Sequence, residues 1–270
     1  MSLLLVLLAA AQAQLQARNL LERCNVEEAT PRRASLPGDL NEISGLTFGP
    51  DGRLLAHDDE SGVIFAIDTA NGAIVARFEL GPSVPSEDFE GIELVGERLF
   101  LTTSDGVLFE TRVVGDGERI AFQRVDTGLG RWCEVEGLGA EAGGILLFAC
   151  KQPRRRELND QVAIFRWDPT AKAPADPARF VITEKALERS RNQDRFRPGG
   201  IARDPLTGHL VLISAQDNAI AEITPAGAVV GVARLRGHGQ AEGIAISADG
   251  RLWIADEGNR TGMLSVYACR

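Results

Sequence analysis

An all-β fold of repeated four-stranded sheets follows from three observations. A glycine-centred phrase returns five times, as EISGL at Glu42, FEGIEL at Phe89, VEGLGA at Val135, PGGIAR at Pro198 and AEGIAI at Ala241. The marked glycines, Gly45, Gly91, Gly137, Gly200 and Gly243, lie 46, 46, 63 and 43 residues apart, the period of a β-propeller blade. Between them run short alternating apolar segments and glycine turns, with no long amphipathic helical run after the first two dozen residues. The expectation is a single propeller of five four-stranded blades.

The first unit sets the grammar. EISGLTFG, RLLAHD, VIFAID and AIVARFEL read as four strands joined by the turns PDG, DESG and TANG. The second unit repeats it with FEGIELVG, RLFLTTS, GVLFETRVV and RIAFQRVD, and the fourth with GGIARDP, HLVLISA, AIAEITP and AVVGVARL. The third is 17 residues longer than the first two, its surplus falling in KQPRRRELND, in DPTAKAPADPA and in a short helix around TEKALERSR. After Gly243 only 27 residues remain, enough for three strands. The segment between Cys24 and Leu36 is the natural donor of the fourth, so that an N-terminal strand closes the last blade and protects the ring's edges.

The first residues, MSLLLVLLAAAQAQ, form an apolar run ending in Ala11-Gln12-Ala13. This fits a signal peptide over residues 1–13, leaving 14–270 as one domain in the periplasm or outside the cell. The run is too short for stable insertion across a bilayer. No Lys or Arg precedes it, which leaves a buried or membrane-associated helix as the other reading. Four cysteines in an exported chain allow two disulfides. A hairpin turning near Glu141-Ala142 would set Cys133 opposite Cys150, and Cys24 with Cys269 would fasten the chain ends; four reduced thiols are the alternative.

The net charge of -9 argues against nucleic acid or anionic membrane as the main partner. The basic stretches RRR at Arg154 and ERSRNQDRFR at Glu188 read as solvated loops. If each innermost strand runs from the top face downward, the residues before the marked glycines, Ser44, Glu90, Glu136, Gly199 and Glu242, gather at the top of the axial channel. Two residues earlier stand Glu42, Asp88, Glu134, Arg197 and Gln240. Two like charges about 10 Å apart repel by roughly 1.7 kcal/mol at an effective dielectric near 20. A bound cation, Arg197 or protons on the carboxyls must offset the sum. Hard oxygen donors without clustered His or thiolates point to calcium, with magnesium or manganese behind. Against this, strand alternation would turn each glutamate the same way as the Ile or Leu two residues on. His57, His209 and His238 lack metal-ligand spacing, and no nucleophile elbow, zincin motif or P-loop is present.

The phrases NEISGLTFGPDGRLLAHDDESGVIFAID and QAEGIAISADGRLWIADEGN resemble the SdiA-regulated family of bacterial exported proteins, from about Asn41 to the C-terminus. The resemblance implies a five-bladed, distantly NHL-repeat-like propeller with a bound calcium ion and no established biochemical function. On matching positions it implies Glu42, Asp59, Glu90, Glu136, Glu242 and Glu257 as ion-site residues, with Gly199 breaking the symmetry of the ring. Two functions fit: an ion-organised acidic face that binds a small molecule or protein, or a metal-dependent hydrolase of the lactonase, esterase or phytase kind. A plain scaffold is the third.

Overall fold

A computed structural model of the chain describes residues 18–187 and 196–270. The signal peptide expected over 1–13 and most of the basic string from Glu188 lie outside the described residues. Strand β1 (Arg32–Ser35) precedes the ring. Blade 1 holds β2 (Ile43–Phe48), β3 (Leu54–Asp58), β4 (Val63–Ile67) and β5 (Ile74–Gly81); blade 2 holds β6 (Phe89–Val95), β7 (Arg98–Thr103), β8 (Val107–Thr111) and, after β9 (Arg119–Ala121), β10 (Gln123–Asp126). Blade 3 is β11 (Cys133–Ala140), β12 (Leu146–Pro153), β13 (Gln161–Asp168) and β14 (Ala173–Thr183). Blade 4 is β15 (Gly200–Arg203), β16 (Leu210–Ser214), β17 (Ala219–Ile223) and β18 (Val229–Arg234). Blade 5 is β19 (Ala241–Ile246), β20 (Leu252–Asp256) and β21 (Met263–Tyr267), completed by β1.

The five-bladed propeller is therefore as the repeat predicts, with local departures. RIAFQRVD is two strands rather than one: β9 joins β5 in parallel at the edge of blade 1, while β10 pairs with β8. The Pro/Ala segment read as surplus supplies part of β14, where Pro174 and Pro177 are tolerated because β14 is the outer edge of its sheet. The arginine triplet staples loops: Arg154 Nη1 donates to Asp105 Oδ1 at 3.0 Å and to the Gly130 carbonyl at 2.8 Å, and Arg155 Nε to the Arg131 carbonyl at 2.8 Å.

Core side chains form five clusters, one between each pair of neighbouring blades. At the axis the packing becomes too close for any side chain. A Cβ built on Gly91 would lie 2.7 Å from Leu138, on Gly137 2.9 Å from Gly200, on Gly200 3.0 Å from Ile244 and on Gly243 2.9 Å from Leu46; on Gly45 it would meet Ile92 at 3.0 Å and the His57 ring. None of the five has a positive φ. The repeat uses glycine for space rather than for backbone freedom, and the aliphatic residue after each glycine packs toward the blade before.

The N-terminal segment locks the ring. β1 pairs antiparallel with β21, from Arg32 opposite Val266 to Ser35 opposite Met263, and Cys24 is bonded to Cys269. Helix α1 (Leu20–Cys24) starts on Asn19, whose Oδ1 accepts the Glu22 N–H at 2.9 Å. It docks through buried Leu20 and Leu21 and through Arg23, whose guanidinium meets Asp204 at 2.8 Å with both side chains nearly inaccessible. The second expected bridge is not formed: Cys133 and Cys150 are free and buried. The hairpin turns farther along, between Glu141 and Ile145, and extra residues in β11 shift the register, so Cys150 pairs with Val135 and Cys133 with Pro153. The two thiols still touch; a hydrogen bond with Cys150 and burial raise the pKa of Cys133.

Two outcomes follow for equilibrium denaturation. Gly137→Ala should cost roughly 1–3 kcal/mol from overpacking, whereas Gly38→Ala, where nothing lies within 4 Å of the added Cβ, should stay within about 0.5 kcal/mol of the parent. Replacing Cys24 and Cys269 by Ser should cost on the order of 3–5 kcal/mol, because the bridge closes a sequence separation of 245 residues.

Candidate functional site

The carboxylates reach the axis through a repeated irregularity. In β6, Phe89 pairs with Thr103 and Gly91 with Thr102, leaving Glu90 as an extra residue. The same shift skips Ser44 in β2, Glu136 in β11 and Glu242 in β19. In an unbroken strand Glu90 and Ile92 would face the same way. A bulge re-aims its extra residue, so Ile92 enters the interblade core at 1% exposure while Glu90 joins the acidic mouth. Blade 4 has Gly199 at this position and its strand begins without a bulge at Gly200. The ring is three glutamates, a serine and a gap.

Glu90, Glu136 and Glu242 act as one electrostatic unit. Burial, then the charges of Glu136 and Asp88, push Glu90 up to about 10. Burial raises Glu136 to about 7 against the opposing pull of Lys151, whose Nζ contacts Glu136 Oε1. Glu242 also rises to about 7, through burial and the charges of Glu136 and Glu257, although a hydrogen bond from Gln240 opposes the shift. Burial alone would lower the pKa of Lys151; the charge and hydrogen bond of Glu136, followed by Glu90 and Glu242, hold it raised instead. The counter-ion at the mouth is thus Lys151. Arg197, the sequence candidate, uses its backbone N–H to bind Asp217 Oδ2 at 3.2 Å.

The remaining predicted residues flank this centre. Gln240 Nε2 donates to Glu242 Oε1 at 3.1 Å and also to Glu257 Oε2, which joins Glu257 to the cluster. Glu42 and Asp59 form a separate pair on blade 1: the Asp59 N–H donates to the Glu42 carbonyl at 3.2 Å, and burial followed by the Glu42 charge pushes the Asp59 carboxyl up to about 6. Asp59 and Asp88 line one open groove of about 610 Å³, so the acidic surface runs outward from the mouth between blades 1 and 2. The histidines serve the scaffold. His57 is fully buried and pushed down to about 4 by burial, with Nδ1 against the Asp58 carbonyl at 2.7 Å. His209 holds Glu222 at 2.7 Å, and His238 bridges Asp256 at 2.7 Å and Tyr267 at 2.9 Å.

The donor chemistry suits a hard cation. Its oxygens are carboxylates, and Glu136 Oε2 and Asp59 Oδ1 are buried without a hydrogen-bond partner. Among the described residues no three His, Cys, Asp or Glu side chains stand close enough to hold a metal ion as they are. Lys151 occupies part of the acidic centre, and an ion would need its ammonium to withdraw from Glu136. The sequence signals for the cluster were the E-G pairs; glycine inside a strand pattern marks bulges.

Solved structures of similar fold include glutaminyl cyclase from Myxococcus xanthus, with a TM-score of 0.61 and 16% identity over 87% of this chain and 93% of that one. The PQQ-bound aldose sugar dehydrogenase from Streptomyces coelicolor gives 0.57 and 15% over 89% and 99%. A luciferin-regenerating enzyme gives 0.56 and 9% over 88% and 96%. At these identities the likeness shows the fold alone. No curated protein sequence matches the chain. The SdiA-regulated family model matches residues 28–261, which takes in the closing strand β1, the first four blades and strands β19 and β20 of the fifth; the chain belongs to the SdiA-regulated family.

Proposed function

We propose that this protein is an exported calcium-binding propeller whose acidic top mouth, organised by the ion, receives a small-molecule or protein ligand. The observation that carries this reading is the buried, unpartnered Glu136 Oε2 beside two half-buried glutamates, Glu90 and Glu242, with Lys151 among them. An uncompensated buried carboxylate costs several kcal/mol, and a divalent cation offsets more of that cost than one ammonium. Glu90, Glu136 and Glu242 would hold the ion, with Glu257 steadied through Gln240 and the Glu42–Asp59 pair extending the acidic surface. Calcium supplies positive charge and a coordination site for an oxygen of the ligand. Export is supported by the apolar run over residues 1–13 and by the Cys24–Cys269 bridge, since disulfides persist in oxidising compartments.

One observation favours the hydrolase alternative. Glu90 and Glu136 both have raised pKa values, and the Lys151 ammonium is set against Glu136, an asymmetry that would let one carboxyl donate a proton while its neighbour accepts one. Turnover of a lactone or ester that is lost in Glu136→Gln with the fold intact would establish that reading.

Calorimetry on chelator-treated protein beginning at Gln14, with magnesium and manganese in parallel, tests the ion site. One calcium site, weakened about tenfold or more by Glu136→Gln, is the expected result. Lys151→Met should lower the melting temperature in chelator and enlarge the stabilisation by calcium. No heat and no thermal shift with any of the three cations would remove the metal from the account.

Stability should also depend on pH in a set direction. The folded pKa values of Glu90, Glu136 and Glu242 lie above the ordinary 4.5. The native state therefore holds protons that the unfolded chain releases, and its stabilisation is present below 4.5 and lost as pH rises through the folded values. In chelator the melting temperature should fall from about pH 5 to about pH 8, chiefly through Glu136 and Glu242, while calcium flattens the fall. A rise over that interval would contradict the assignment.

A further inference from the structure

The far end of the channel carries a second cavity, independent of the acidic mouth. Leu46, Ile92, Leu138, Ile201 and Ile244 converge on the axis, where the free space shrinks to about 10 Å³, roughly the room of a single water molecule. On the lower side opens a cavity of about 380 Å³, within the ordinary range for small-molecule sites. Phe48, Leu94, Val95 and Ile246 contribute apolar wall.

Three charged side chains line this cavity: Glu93, Glu141 and Arg203. Glu141 is already neutralised, both oxygens taking hydrogen bonds from Arg166 at 2.7 and 2.8 Å. Glu93, on β6, and Arg203, on β15, have no hydrogen-bond or ion-pair partner among the described residues. They come from blades 2 and 4, with blade 3 between them. Burial is the one cause that pushes Glu93 up to about 8, which agrees with the absence of a cation beside it. A carboxyl and a guanidinium left unmatched on separate blades, across an otherwise neutral cavity, are complementary to a molecule charged oppositely at its two ends.

We propose that the lower cavity binds a short zwitterion of the dipeptide class, its ammonium at Glu93, its carboxylate at Arg203 and its apolar side chains on the wall between. A dipeptide places its termini farther apart than the charges of a free amino acid, and Glu93 and Arg203 stand on blades 2 and 4 with blade 3 between them. Its bulk also suits the volume.

The test uses L-leucyl-L-leucine on the mature protein by calorimetry, with N-acetyl-leucyl-leucine lacking the ammonium and leucyl-leucinamide lacking the carboxylate. One site is expected, weakened about tenfold or more by either cap. Glu93→Gln should erase the penalty of acetylation, and Arg203→Met that of amidation. The capped peptides probe the unaltered protein, so the test stands even where a variant folds poorly. No binding of the dipeptide, or equal binding of all three peptides, would overturn the proposal, as would tighter binding of a singly charged form or of free leucine.

Discussion

The close approach of five innermost strands at the propeller axis is the constraint on which the rest of the structure depends. Each repeated glycine lies where a Cβ would collide with the neighbouring blade, at 3.0 Å or less in every case. The aliphatic residue that follows is the knob that closes the axis. Because the blades meet this tightly at the centre, their outer strands diverge and the interblade clusters must fill the widening wedge. The Cys24–Cys269 bond and β1 prevent that ring from opening at its one covalent gap.

Tight axial packing and an acidic mouth are connected through the bulge. The same few residues must supply a glycine for contact, an aliphatic plug and, at the position before the glycine, a group turned toward the top. An unbroken strand cannot separate the last two. The extra residue resolves the conflict and concentrates Glu90, Glu136 and Glu242 in partly desolvated positions, where repulsion and burial raise all three pKa values together. Carboxyls held in this way cost the fold stability. Lys151 supplies positive charge against Glu136, and the aliphatic residues after the glycines stand between the acidic mouth and the cavity beneath.

The repeat made the architecture legible because it states spacing directly. Gly45, Gly91, Gly137, Gly200 and Gly243 fixed the blade number, and the shortage of strands after Gly243 pointed to closure by the N-terminal segment and hence to Cys24 with Cys269. What the residues could not convey was register. Bulges are set by packing between blades, so the orientation of Glu90 stayed open, and the pairing of Cys133 with Cys150 failed for the same reason. Arg197 was the cation the sequence offered for the mouth, whereas Lys151 meets Glu136 because β12 carries it into the centre. Glu93 gave no signal at all: it is an ordinary polar residue in an alternating strand until the ring closes around it.

The most direct test of the account is a crystal structure grown in calcium, with diffraction recorded at a wavelength where the ion scatters anomalously. The account predicts a single strong peak at the axial mouth among Glu90, Glu136 and Glu242, with the Lys151 ammonium withdrawn from Glu136. A mouth without an ion at saturating calcium, with Lys151 still bound to Glu136, would contradict it.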